Sequence, residues 1–233
     1  MKPKNNIALF DIDDTLYKGG IIYPLMESEV KADLLDKELL IEAYVNRSLY
    51  QKGKLQYEEF SRKGVMIWAK GLKDKSYDEI VQHTKEFIKI DQQNFYSFTK
   101  PLLNLLEKSY DRIIITNEPQ FVAEQVRTLL HFTNCVSTMF EVRSSRFTGK
   151  VSRFNSTQID KKKSLQEVFA KYSHNRSFAF GDSIGDVGMF EEVEYPICVN
   201  ASEKLQKIAL KSNWRLVNPN NILEITQNIL SYK

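Results

Sequence analysis

Four short apolar runs, each breaking off into polar residues, constrain the fold of this chain more than any other feature. They are IALFDID (residues 7–13), RIIITN (112–117), SFAFGDS (177–183) and YPICVN (195–200), with WRLVN (214–218) a weaker fifth. Each is rich in β-branched or aromatic residues and mostly not alternating, which is the pattern of strands buried on both faces. Helical patterns lie between them. PQFVAEQVRTLL (119–130) has Pro at a first helical position and apolar residues at Val122, Val126, Leu129 and Leu130. KKSLQEVFAKY (162–172) sets Leu165, Val168, Phe169 and Tyr172 on one face. Strands alternating with helices predict a three-layer α/β domain built on a mainly parallel sheet.

Residues 18–100 break this rhythm. MESEVKADLLDKELLIEAYVNRSLYQKG, QYEEFSRKGVMIWAKG and SYDEIVQHTKEFIKI are helical with little strand character, and Gly53 and Gly71 punctuate them. The expected organisation is a core domain from residues 1–17 and 101–233, with a helical cap domain over 18–100 inserted after the first strand. An insertion there overhangs the crevice where open α/β sheets bind ligands, so it is a candidate lid.

Composition narrows the class. At 233 residues the chain is long enough for a core without disulfide or metal support. Its 42% hydrophobic and 27% charged residues exclude a disordered or collagen-like chain. A formal charge of +3 is too small to argue for nucleic acid or an anionic membrane. No apolar stretch is long enough to span a bilayer, and the run before the first acids is too short for a signal peptide. Cys135 and Cys198 cannot make a disulfide framework, which suits a reducing, cytoplasmic setting, although one bridge stays open. His83, His131 and His174 lack ligand spacing, so zinc is not expected.

The chemistry sits where the strands end. Asp11, Asp13 and Asp14 crowd the end of the first run, with Thr15 next. Such carboxylates repel unless a cation or phosphate chemistry compensates. On a strand, Asp11 and Asp13 share a face; the other reading is a helix-capping cluster. The second run ends in Thr116, and the third in Asp182, with Asp186 four residues on. Lys161 stands at the head of the helix before that third run. A parallel sheet brings these ends to one edge. Thr116 and Asp182 could instead cap the helices that follow them, and Lys161 lies in a KKK run of the kind that usually faces solvent.

DIDDT, a strand ending in Thr, a Lys and then GDSIGD, in that order, resemble the four motifs of the haloacid dehalogenase superfamily. The resemblance spans about residues 7 to 200. TNEPQFV after the second motif, FTGKV before the lysine and the helical insertion are similar to the phosphoserine-phosphatase-like branch. Members typically carry Leu four residues after their lysine; Leu165 therefore selects Lys161, with Lys162 the fallback.

The resemblance implies a Rossmann-like core and a Mg²⁺-dependent phosphatase acting on a small-molecule phosphate monoester. Asp11 would be the nucleophile and Asp13 the general acid, then base. Asp11, the Asp13 backbone carbonyl and Asp182 would ligate the metal. Thr116, Asn117 and Lys161 would hold the phosphoryl group, with Asp186 and Ser183 behind them. Keeping Asp13 favours hydrolysis over dehalogenase or ATPase chemistry. A phosphotransferase using the same intermediate, or a non-catalytic phosphate-binding protein, is the alternative. A signalling receiver is disfavoured, because its acid pair and phosphorylated Asp would lie on different strands.

Two departures disfavour phosphoserine as the substrate. Gly20 stands where phosphoserine phosphatases typically carry Glu, and Asn117-Glu118 follows the second-motif hydroxyl instead of Gly-Gly. Glu118 could meet a cationic or hydroxyl group on another substrate, or simply be a first-turn acid. Gly19 and Gly20 could hinge the cap or form a plain turn. Arg47, Arg62 and Lys63 read more readily as surface charges than substrate contacts, and Trp68 as cap core. The oligomeric state is not legible.

Overall fold

A computed structural model describes residues 6–231. β1 (Asn6–Phe10) is followed by α1 (Ile22–Lys31), α2 (Lys37–Gln51), α3 (Tyr57–Gly71), α4 (Tyr77–Asp91) and α5 (Thr99–Leu106). β2 (Tyr110–Pro119), α6 (Gln120–Leu129), β3 (Asn134–Arg143) and β4 (Arg146–Arg153) come next. The chain then runs through α7 (Gln158–Phe169), β5 (Phe178–Gly181), α8 (Val187–Phe190), β6 (Tyr195–Val199), α9 (Glu203–Ser212), β7 (Arg215–Val217) and α10 (Ile222–Ser231). The strands form one sheet in the order β4-β3-β2-β1-β5-β6-β7. Every neighbouring pair is parallel except β3 and β4.

The apolar runs are continuous because both faces of the central strands are covered. Ala8 and Phe10 of β1, Ile114 of β2 and Phe178 and Phe180 of β5 point to one side, where α5, α6 and α10 supply Leu102, Phe121, Val126 and Ile229. Ile7, Leu9, Ile113, Ile115 and Ala179 point to the other, against Leu165, Phe190 and Leu205 of α7, α8 and α9. Period-two alternation thus divides one apolar run between two cores.

The β3–β4 hairpin was not legible in the sequence. Its two-residue turn, Ser144-Ser145, has φ of 49° and 60°. Positive φ at both central positions is the geometry that twist-matched hairpins require, but it usually announces itself through Asn or Gly. The hairpin also anchors the helical segment: Phe147 donates its N–H to the Lys75 carbonyl at 3.1 Å, and Tyr77 to the Ser145 carbonyl at 2.9 Å. Trp68 of α3 is fully buried and packs edge-on against Phe121 and Phe140. Its residence is core, as expected, but the rings it meets belong to the sheet side of the molecule.

Trp68 also donates Nε1–H to Glu29 Oε2 of α1 at 2.7 Å, while Glu29 Oε1 has no partner. Burial pushes the Glu29 carboxyl up to about 8, with the indole bond pulling partly back. Between about 4.5 and about 8 the folded protein therefore keeps a proton that the unfolded chain has released. Folding stability should fall as pH rises through that window and level off above it. Urea unfolding should show this decline in the wild type and a shallower one in Glu29→Gln; equal slopes for the two would refute it.

Candidate active site

Because β1, β2 and β5 run parallel, their carboxyl ends meet at one sheet edge, and the polar residues that end each apolar run collect there. β1 stops at Phe10, three residues short of the expected 7–13 span. Asp11 still donates its N–H to the Phe180 carbonyl at 2.9 Å, but then the N–H groups of Thr15, Leu16 and Tyr17 converge on the Ile12 carbonyl. Asp14 takes a φ of 52°, a left-handed value that Asp tolerates. A turn, rather than strand alternation, therefore brings Asp11 and Asp13 to the same cavity. That cavity, of about 480 Å³, is also lined by Glu118, Lys161, Asp182 and Ser183, and by Tyr23, Arg47, Tyr50, Tyr57 and Phe60 of the inserted helices.

Lys161 is positioned by a capping box at the head of α7, in which Thr157 and Asp160 exchange backbone and side-chain hydrogen bonds. Its Nζ donates to Asp11 Oδ1 and to Asp186 Oδ1, both at 2.6 Å. Lys162 instead reaches Glu191 and Glu192 at the surface. Of the two, Lys161 is the one buried beside Asp11.

Asp186 is fully buried and its oxygens are committed. Oδ1 meets Lys161, while Oδ2 accepts from the Asp182 N–H at 3.1 Å, the Ser183 N–H at 3.0 Å and Ser183 Oγ at 3.2 Å. Gly181 makes this possible, since a Cβ there would fall 2.5 Å from Asp186 Cγ. Ser183 Oγ also lies 3.3 Å from the Tyr57 hydroxyl of α3.

Thr116 is buried at the end of β2; its Oγ1 accepts the Glu118 N–H at 3.2 Å, and it is not among the cavity-lining residues. Asn117 lines the cavity, but its amide is engaged by Ser61 of α3, Thr138 of β3 and Ser156. Arg62 binds Asp160 at 2.8 Å rather than entering the cavity, and Lys63 is exposed. Arg47 does line the cavity, with its guanidinium 4.7 Å from the centre of the Tyr23 ring. Gly19, at φ 74°, closes a turn in which it exchanges hydrogen bonds with Asp14. Glu118 is not a first-turn acid: it lies in β2, 3% exposed, and lines the same cavity as Asp13.

The electrostatics follow from crowding acids in a site withdrawn from water. Burial pushes Asp11 up to about 8 against the pull of Lys161, and Asp186 and Asp13 push the same way as burial. Burial likewise lifts Asp13 to about 6, while hydrogen bonds from Glu118 and the Ile21 N–H hold it lower than burial alone would. Glu118 and Asp182 are raised well above the usual carboxylate range, first by burial and then by neighbouring acids. Burial disfavours the Lys161 ammonium, but Asp11 and Asp186 more than reverse this, so it stays charged.

One ammonium thus faces several acids. Asp11, Asp182 and Asp186 place carboxylate oxygens within 4.8 Å of one another, and among the described residues this is the one such group of possible metal ligands. An all-oxygen donor set with excess negative charge fits a hard divalent cation such as Mg²⁺. Asp186 already spends its oxygens on Lys161 and backbone N–H groups, which leaves Asp11 and Asp182 as the better-placed ligands.

The haloacid dehalogenase-like hydrolase family matches residues 8–191. A histidinol-phosphatase of Neisseria meningitidis serogroup C (strain 8013) is 24% identical, over 91% of this chain and 98% of its own. Among solved structures, a protein of unknown function from Bordetella pertussis Tohama I superposes with TM-score 0.75 at 19% identity, covering 93% of this chain and 99% of that one. A phospho-aspartyl intermediate analogue of phosphoserine phosphatase gives 0.66 at 17%, covering 95% and 99%. At these identities the structural likeness is one of fold.

Proposed function

The chain belongs to the haloacid dehalogenase-like hydrolase family, and from that membership we propose a Mg²⁺-dependent phosphatase that hydrolyses a small-molecule phosphate monoester through an aspartyl-phosphate on Asp11. The observation that carries this is the pairing of Asp11 with Lys161 at 2.6 Å, beside Asp182 and beneath a cavity large enough for a small molecule.

Asp11 attacks phosphorus as the bond to the ester oxygen breaks, and Asp13 gives that oxygen its proton. Asp13, now a carboxylate, takes a proton from water, whose oxygen displaces Asp11 and releases inorganic phosphate. Lys161 offsets charge on the phosphoryl oxygens throughout, held in place by Asp186. Thr116 offers a hydroxyl hydrogen, since its oxygen already accepts the Glu118 N–H. Asp11, the Asp13 carbonyl and Asp182 would hold Mg²⁺, which would supply positive charge to offset that of nucleophile and phosphate. Asn117, with its amide tied to Ser61, Thr138 and Ser156, serves by bracing the β2 end against α3.

The helices over residues 18–100 act as the cap in this scheme. α3 reaches across the site through Tyr57, Ser61 and Arg62. Closure of such a layer would shield the phosphoryl group from bulk water, and its opening would release the alcohol and admit the hydrolytic water. Among the described residues no helix is long and apolar enough to cross a membrane. The free thiols of Cys135 and Cys198 suit a reducing compartment such as the cytoplasm.

Phosphate release from a panel of monoesters tests the proposal. Turnover should require Mg²⁺, vanish with EDTA and return when Mg²⁺ is added back. Asp182→Asn should weaken Mg²⁺ binding, by calorimetry, at least about tenfold. Release that is indifferent to EDTA would refute the metal's role. Appearance of a new phosphate ester when alcohols are added, without free phosphate, would point to the transferase.

A further inference from the structure

α3 makes polar contacts with the core at residues that flank those of the proposed reaction. Tyr57 reaches Ser183, which follows Asp182. Ser61 accepts from the Asn117 amide at 3.2 Å, and Asn117 follows Thr116. Arg62 donates to both carboxylate oxygens of Asp160, at 2.8 and 3.0 Å, and Asp160 precedes Lys161. The contact of Tyr57 has the longest reach. Ser183 Oγ has one proton to give and two lone pairs. Its proton goes to Asp186 Oδ2 at 3.2 Å, an oxygen that also takes two backbone N–H groups and can only accept. One lone pair takes the Gly185 N–H at 3.3 Å. The other is left for Tyr57, whose oxygen lies at 3.3 Å, so the phenol is the donor. Burial, and then the charge of Asp186, raise the Tyr57 phenol above its ordinary range, so it keeps that proton. The donors therefore run one way, from Tyr57 to Ser183 to Asp186, and Lys161 joins Asp186 to Asp11 at 2.6 Å on each side.

We propose that Tyr57 is a positioning residue of the phosphoryl transfer: its hydroxyl, carried by a helix of the inserted segment, holds Ser183 and Asp186 so that Lys161 stays aimed at Asp11 and the phosphoryl oxygens. This rests on the phosphatase reading above. Gly185 shows how closely the phenol is seated. A Cβ there would fall 2.5 Å from the Tyr57 oxygen and 2.9 and 3.0 Å from two of its ring carbons. Gly185 is not among the residues with left-handed backbone, so the ring, and not φ, is what asks for glycine. One turn further along α3, Ser61 and Arg62 tie the same helix to Ser156 and Asp160, which fixes where the ring sits. Without the phenol, Ser183 Oγ loses an acceptor bond and is freer to turn away from Asp186. The carboxylate that orients Lys161 is then held less firmly. At 3.3 Å the Tyr57–Ser183 link is longer than the usual value of about 2.8 Å, and it should shorten when a phosphoryl group fills the site.

Tyr57→Phe keeps the ring and removes the hydroxyl. With p-nitrophenyl phosphate and phenyl phosphate at saturating Mg²⁺, its kcat should fall about tenfold while KM moves by less than about twofold. Ser183→Ala should lose a similar factor. The double variant should be no slower than Ser183→Ala, because both changes act through one chain of hydrogen bonds. Gly185→Ala, which displaces the ring, should lose at least as much kcat as Tyr57→Phe. Fluoroberyllate with Mg²⁺, standing in for the phosphoryl group on Asp11, should bind about tenfold more weakly to Tyr57→Phe by calorimetry. Unchanged kcat in Tyr57→Phe would make the contact mere packing, and a loss confined to KM would make Tyr57 a substrate contact; either would overturn the proposal. So would wild-type turnover in Gly185→Ala, or a double variant slowed by the product of the single effects. Neither phosphate release nor fluoroberyllate binding by the wild type would instead overturn the phosphatase reading, and this proposal with it.

Discussion

Asp11→Asn should abolish phosphate release, with kcat lower by about four to six orders of magnitude, while the protein stays folded. The neutral amide is a poor nucleophile and cannot form the acyl phosphate through which the proposed reaction runs. The fold should survive because Lys161 keeps its bond to Asp186 at 2.6 Å, so its ammonium is not stranded. The substitution also removes one of the acids that burial and its neighbours hold up near 8. The measurements are phosphate release with Mg²⁺ and a thermal midpoint. Wild type quenched in acid during turnover should carry a phosphoryl group that the variant lacks. Turnover within tenfold of wild type would remove Asp11 from the mechanism.

Lys161→Met should lose both activity and stability. The ammonium is 3% exposed and lies 2.6 Å from two carboxylates. Without it Asp11 and Asp186 face each other unpaired in a site withdrawn from water. Breaking a buried pair in this way costs about 3–5 kcal/mol, which for a chain of this size lowers the midpoint by roughly 10 °C. Asp186→Asn in the same chain should recover part of the midpoint but none of the turnover, since the lost charge also served the phosphoryl oxygens. Lys162→Met is the control. That side chain pairs only with Glu191 and Glu192 at the surface, and the variant should behave as wild type. A stable, active Lys161→Met would show that the short contacts are incidental.

Much of the core was legible because its signals are local. β1, β2, β5 and β6 announce themselves as apolar runs, and α6 and α7 by their spacing of apolar residues. Even here the ends moved. Pro119 sits before α6 with extended backbone angles, as its N-cap rather than its first turn. β1 gave up three residues to a turn closed on the Ile12 carbonyl. The long helical pattern over residues 26–53 split into α1 and α2, where Asp33 takes a φ of 58°. Strand and helix ends are set by hydrogen-bond competition that a single periodicity does not record. The β3–β4 hairpin escaped altogether, because Ser144-Ser145 lacks the usual turn residues and its strands carry no clean alternation.

By itself the sequence determined which chemical groups are present and the order in which a parallel sheet delivers them to one edge. Acid, hydroxyl, lysine and acid are written at strand and helix ends, and local apolar patterning suffices to place those ends. Only the tertiary structure decided which groups meet. Lys161 and Asp11 are 150 residues apart, and the capping box of α7 turns Lys161 inward and Lys162 outward. The same folding put Glu118 inside the cavity, with Asp13 beside it and Gly20 leaving the adjoining space open. Such contacts depend on the rotation of an element about its own axis and on what packs behind it. Both are consequences of the whole core, and no window of the sequence contains them.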